Sequence, residues 1–296
     1  MVGLPGSRSM ALTIEGSSLR MLVYSGTKIL SWYTAPISPR LLSEGTIASP
    51  EGIGEIIAET VGENKLPTKG VVASLPSIGS ATQTITVPHT SKRAMPEVVT
   101  REIKRSIPSS DDVDYVYWQP MPESRTEEQE IYTLSVPRSS IMGTIDACRA
   151  GGINLRGIEL KPFSLTRAVG CKNGIIVHGE PDHLEIVIVD DSFPALFRSI
   201  PITGGDATTG LAADSLMREL PFTVDYFNRT YIETQLNPQA NIYLSGELAL
   251  DPMLPSELAR VSEHDIAPIQ PPPQCPLSFP LEHFFTHVGL MLRKNW

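Results

Sequence analysis

Three runs of this 296-residue chain carry groups able to bind or transfer something. Residues 13–18 read Thr-Ile-Glu-Gly-Ser-Ser: an acid, a glycine and two hydroxyls between apolar stretches. Gly16 accepts positive φ without strain and suits a tight strand–turn–strand. The turn is either an ordinary hairpin or one whose backbone N–H groups are aimed at a phosphate, each such charge-assisted bond being worth about 1.5–3 kcal/mol. Residues 178–185 read His-Gly-Glu-Pro-Asp-His-Leu-Glu, nitrogen and carboxylate donors of the kind that hold metals. Only alternate residues of a strand share a face, so this run is expected to be a solvated turn rather than a metal site. His283 and His287 stand four apart, a metal-binding spacing on a helix, but no intervening acid and no third ligand accompany them. They are expected as core or surface histidines. The chain has no GxSxG elbow, no GxxxxGK phosphate loop and no GxGxxG after a strand.

Composition narrows the field further. Apolar residues make up 41% and charged residues 19%, which excludes a disordered chain and a coiled coil. The formal net charge of −9 repels nucleic acid at long range. The one basic cluster, Lys92-Arg93 with Arg101, Lys104 and Arg105, is broken by Glu97 and Glu102 and reads as a solvated helix face. Cys148, Cys171 and Cys275 are three widely spaced thiols without a CxxC, as in a reducing cytosol. No apolar run reaches 18 residues, so no membrane-spanning helix is expected. Residues 1–9 are expected as a loose leader.

The elements that position the two turns repeat. Strands at 11–14, 19–24 and 28–33 precede a helix at 50–62, with Ser49 as its cap and Pro50 at its first position. Strands at 174–177, 184–189 and 195–200 precede a helix at about 206–220, with a further helix at 222–236. The order strand, turn, strand, turn, strand, helix therefore occurs twice, an internal duplication of architecture. A buried strand at 70–75 completes the first block. Between the blocks lies a compact α+β insert: strands at 82–87, 113–118 and 131–136, helices at 96–107 and 140–150. Its aromatic strand places Tyr115 and Tyr117 on one side and Trp118 on the other. A strand at 241–244, a stiff proline-rich connector at 266–276 and a helix at 281–294 close the chain.

The runs RAMPEVVTREIKRSIP, YVYWQPMP, SVPRSSIMGTIDACRAGGINLRGIELKPFSLTRAVG, FRSIPITGGDATTGLA, NIYLSGELAL and HVGLMLR, in this order and spacing, resemble the PilM family of actin-like, FtsA-related type IV pilus assembly proteins over residues 10–294. The resemblance implies an α/β, two-lobed actin-like ATPase fold of duplicated ribonuclease H-like lobes with a small insert of the FtsA (SHS2) kind. It implies a first lobe at 10–82 and 157–173, the insert at 83–156 and a second lobe at 174–296. It also implies a protein peripheral at the inner face of the cytoplasmic membrane. Its partner would be the N-terminal cytoplasmic peptide of a PilN-like membrane protein, which links it to the pilus motor and alignment complex or to a type II secretion machine.

Family members can hold ATP with magnesium between the lobes, and this resemblance makes Glu15, Gly16, Ser17, Ser18, Gly204, Gly205 and Gly246 the remnants of such a site. The remnants depart from the pattern. The first turn has Glu15 displaced by one from the family's acid. In the second turn His178 stands where an aspartate is expected and Glu180 where a glycine is expected. A fixed carboxylate about 5 Å from one phosphate charge costs roughly 3 kcal/mol at an effective dielectric near 20. Pro181 removes a donor. The third element, Ser245-Gly246-Glu247, lacks the second glycine. The expectation is a degenerate site that does not hydrolyse ATP, with binding of ATP and magnesium left open, and a scaffold rather than an active actin-fold ATPase or kinase.

Overall fold

The computed structural model describes residues 8–43, 46–91, 93–106, 115–120, 128–202, 209–230, 235–273 and 275–293. The chain opens with β1 (Ser9–Glu15), β2 (Ser18–Ser25), β3 (Lys28–Pro36), the short pair β4 (Leu42–Ser43) and β5 (Thr46–Ile47), α1 (Pro50–Asn64) and β6 (Val71–Leu75). It continues with β7 (Ala81–Pro88), α2 (Met95–Ser106), β8 (Tyr115–Pro120), β9 (Glu128–Val136), α3 (Arg138–Ala150), β10 (Leu155–Leu160) and α4 (Lys161–Val169). It ends with β11 (Gly174–Gly179), β12 (His183–Asp190), β13 (Phe193–Pro201), α5 (Thr209–Thr230), β14 (Asn241–Gly246), α6 (Leu254–Val261) and α7 (Leu281–Met291). Two compact units result, one formed by 1–78 with 143–296 and one by Gly79–Met142.

The duplication is visible in the larger unit's sheets. One runs β10-β6-β1-β2-β3, the other β13-β12-β11-β14. In each, two hairpins join three antiparallel strands, and a later strand pairs in parallel with the first of them: β6 with β1, β14 with β11. Period-two alternation sends Met10, Leu12 and Ile14 to one face, against Ile53 and Ile57 of α1 and Ala147 and Cys148 of α3. Ala11 goes to the other face, against Phe284 and Val288 of α7. The second sheet buries Val177, Leu184 and Ile186 against Leu216, Leu220 and Phe227 of α5 and Leu254 and Leu258 of α6.

Local chemistry sets the helices. The Ser49 hydroxyl accepts the Gly52 N–H at 3.3 Å and caps α1, Pro50 supplies a preset φ, and Lys65 ends the helix in the left-handed region. Gly289 lets α7 approach α4, since a Cβ there would lie 1.9 Å from the Ser164 carbonyl oxygen.

The sequence-based elements need two corrections. The helices expected at 206–220 and 222–236 are one helix, α5, which runs through Pro221. A proline inside a helix costs about 3 kcal/mol. Burial of Leu216, Leu220 and Phe227 at about 1.5–3 kcal/mol each offsets this, and the Thr223 hydroxyl donates to the Glu219 carbonyl at 2.7 Å. Helices α4 and α6 have no counterpart among the expected elements. Ala147, Cys148 and Ile153 pack with the first sheet, and β10 pairs with β6.

The smaller unit is the sheet β7-β9-β8 with α2, around Ile85, Val87, Met95, Val99, Ile103 and Ile131. Trp118 packs against this core, whereas Tyr117 is exposed.

Candidate functional site

Two hairpin turns in the larger unit, one from each sheet, meet. The first joins β1 to β2, with Glu15 opposite Ser18 and Gly16 at φ +57°. The Ser17 carbonyl accepts the Ile37 N–H at 2.7 Å. The second joins β11 to β12 and is closed by the Glu180 N–H donating to the His183 carbonyl at 2.9 Å. The Gly16 N–H donates to Asp182 Oδ2 at 3.0 Å, across the junction of the lobes. A Cβ on Gly16 would lie 3.2 Å from Asp182 Oδ1, so a side chain here would crowd the contact.

The second turn is not solvated. His178, Glu180, His183 and Glu185 are exposed by 1%, 2%, 0% and 0%. Burying such groups is costly unless each finds a partner, and each does. Arg20, itself 3% exposed, donates from Nη1 to Glu180 Oε1 at 2.8 Å and from Nη2 to Glu247 Oε1 at 3.0 Å. His178 Nε2 lies 3.3 Å from the same Glu180 oxygen, while its Nδ1 is 2.9 Å from the Ser245 hydroxyl. Glu185 accepts the Ser77 N–H at 2.7 Å and the Ser77 hydroxyl at 2.6 Å. Lys161 donates to His183 Nε2 at 2.7 Å, so Nδ1 carries the ring proton and donates to Asp182 Oδ1 at 2.6 Å. Burial alone would push the Glu180 carboxyl up. The His178 ring and the Arg20 guanidinium reverse this and hold it well below the usual carboxylate range.

This pairing corrects the simple electrostatic expectation for Glu180. The carboxylate is no free charge facing the cleft, because Arg20 neutralises it. The two histidines of α7 separate in role. His287 is fully buried and sits 3.1 Å from the Arg20 carbonyl and 3.3 Å from the Thr13 hydroxyl through Nε2. A carbonyl can only accept, so Nε2 carries the proton. His283 is partly exposed, with Nδ1 3.8 Å from Glu247. Among the described residues no three His, Cys, Asp or Glu side chains are grouped to hold a metal.

Of the residues singled out from the sequence, the fold brings Gly16 against the second turn and leaves Ser17 exposed and Ser18 half-buried beside it. Glu15 ends β1. Gly246, at φ +78°, packs on Gly179, whose carbonyl oxygen would lie 2.3 Å from a Cβ. Gly204 and Gly205 lie outside the described residues. The sequence reading did not single out Arg20, Lys161, Ser77 or Thr13. One signal for Arg20 was available: a lone cation inside the apolar run Leu19–Tyr24 must find an acid.

No family model and no curated protein matches the chain. Solved structures do. A chain of the PilM–PilN type IV pilus biogenesis complex superposes with a TM-score of 0.76 at 21% identity, over 97% of this chain and 98% of that one. A Bacteroides thetaiotaomicron protein with an actin-like ATPase fold gives 0.52 at 9% identity, covering 97% and 96%. The fold is actin-like. The cytoplasmic domain of EpsL, an inner-membrane component of the Vibrio cholerae type II secretion system, gives 0.51 at 12% identity, covering 80% and 82%. In actin-fold terms, β1–β2 and β11–β12 are the paired hairpins of the two lobes, and their turns are the ones that meet here. No described helix is long and apolar enough to cross a membrane.

Proposed function

We propose that this chain is a non-catalytic actin-fold adaptor. It captures the short N-terminal cytoplasmic tail of a PilN-like membrane protein at the inner face of the cytoplasmic membrane. In this way it couples a type IV pilus or type II secretion machine to its cytoplasmic parts. The observation that carries the reading is the fit to a chain of the PilM–PilN complex over nearly the whole length of both.

The cleft chemistry favours an adaptor over an ATPase. A nucleotide triphosphate needs free backbone N–H groups and a carboxylate to hold magnesium. Gly16, the turn's left-handed glycine, already gives its N–H to Asp182. Glu180 is paired with Arg20 through Oε1, and His178 lies against that oxygen and the Ser245 hydroxyl. These residues do not fit ATP with magnesium, and no catalytic step is assigned to them.

Isothermal titration tests both halves. A synthetic N-terminal tail of the PilN-like protein from the same genome is expected to bind at micromolar or tighter Kd, and Mg-ATP is expected to give no heat. An inert peptide would overturn the adaptor reading. Micromolar Mg-ATP binding would overturn the reading of the cleft.

A further inference from the structure

The second turn supplies to the first lobe what a bound anion would supply. The Gly16 N–H, at a left-handed glycine of a β-hairpin turn, is held by a carboxylate oxygen. The same carboxylate is backed by a buried histidine and, through it, by the fully buried Lys161. Two residues earlier in the turn, a second carboxylate sits on the buried Arg20. A buried arginine and a backbone N–H are thus each met by an acid from one short segment, Glu180-Pro181-Asp182, and Lys161 stands behind the second acid through the His183 ring. Burying ion pairs is an expensive way to hold two surfaces together, since an apolar contact of the same volume is often as stable or more so. What charges and directed hydrogen bonds add is a defined geometry. Pro181 stiffens the segment that carries both acids.

We propose that Glu180 and Asp182 are a built-in anion that closes the cleft between the lobes in place of a nucleotide. The lobes are then held in one arrangement by the chain itself, and a partner meets the same surface whether or not ATP is present. The inference rests on the reading of the cleft as closed to nucleotide and not on the identity of the captured peptide.

Hydrogen exchange of the segment covering residues 13–19, measured on the full chain, tests it. In the wild type the Gly16 amide is expected to be protected and indifferent to Mg-ATP. Asp182→Asn is expected to speed its exchange about tenfold or more, because a bond to a charged acceptor becomes a bond to a neutral one. Adding Glu180→Gln should open the segment further. In that double variant inorganic pyrophosphate, an anion able to meet the Gly16 N–H and Arg20 as the carboxylates do, should restore protection while leaving the wild type unchanged. If the double variant fails to fold, Asp182→Asn with pyrophosphate carries the test alone, since Asp182 is a third exposed. Unchanged exchange in Asp182→Asn, or no restoration by pyrophosphate, would overturn the built-in anion and leave the adaptor reading standing. Protection of the wild-type segment by Mg-ATP would overturn the nucleotide-free reading instead.

Discussion

Arg20→Met removes the cation from a pair in which both side chains are almost wholly buried. The arginine side chain gives way to an unbranched apolar one, so lost packing is kept small. What remains is Glu180, 2% exposed, with the His178 ring beside it. Two unit charges about 4 Å apart attract by roughly 4 kcal/mol at an effective dielectric near 20. Mutational experience with buried pairs gives about 3–5 kcal/mol for deleting one partner. The lost contact with Glu247 adds little, because that carboxylate is more than a third exposed and such pairs are worth at most about 1 kcal/mol. His178 stays in place and softens the loss, which puts the expected cost near the lower bound, about 3 kcal/mol. That is a large share of the roughly 5–15 kcal/mol that holds a domain together. It should lower the midpoint of thermal unfolding by about 6–12 °C for a unit of this size. The double variant Arg20→Met/Glu180→Leu should recover most of the loss, since an apolar pair in the same space is about neutral. Urea unfolding followed by circular dichroism at pH 8 measures all three chains. A single variant within 1 kcal/mol of the wild type, or a double variant no better than the single, would refute the claim that the pair is a buried, mutually dependent unit.

Three further outcomes are expected. Glu180 titrates below its ordinary 4.5 in the folded chain, so its stabilising contribution is complete above that pH and is lost as pH falls from 4.5 toward the depressed folded value. Urea midpoints between pH 3 and 6 should therefore drop more steeply for the wild type than for Glu180→Gln. Gly289→Ala places a methyl group 1.9 Å from a backbone oxygen of α4, forces α7 outward and breaks the bond from Arg167 to the Gly289 carbonyl. It should cost about 3 kcal/mol, read from the same denaturation curves. The β12–β13 turn holds Ser192 at φ +66°, where a side chain is strained, and Ser192→Gly should gain about 1 kcal/mol.

The architecture was legible because it is written in local periodicities. Met10, Leu12 and Ile14 alternate with Ala11 and Thr13 as a strand buried on both faces requires, and Ser49-Pro50 announces a helix start. The failures are equally local in origin. Pro221 argues for a break when only Glu219 to Thr223 is considered, and for continuity once Leu216, Leu220 and Phe227 are known to share one core. Helices α4 and α6 were missed because each is short, and what α3 packs on is not written in its own periodicity but in its contacts with α1 and the first sheet.

The cleft shows where reading from spacing stops. His178–Glu185 has the composition of a solvated turn, and nothing within eight residues says otherwise. The partners that bury it are far along the chain: Arg20 is 160 residues from Glu180, Gly16 is 166 from Asp182 and Ser77 is 108 from Glu185. Local patterning cannot encode such pairs, because each residue alone is compatible with water. They are deducible only jointly. A strand as apolar as Leu19–Tyr24 cannot bury Arg20 without an acid, and a turn with three carboxylates and two histidines cannot be buried without cations and N–H donors. Duplicated lobes bring that strand and that turn face to face. The same duplication that makes a nucleotide cleft in actin-like folds thus supplies two matched hairpins that can be joined by their own side chains, and on the present geometry the join runs through Gly16, Arg20, Glu180 and Asp182.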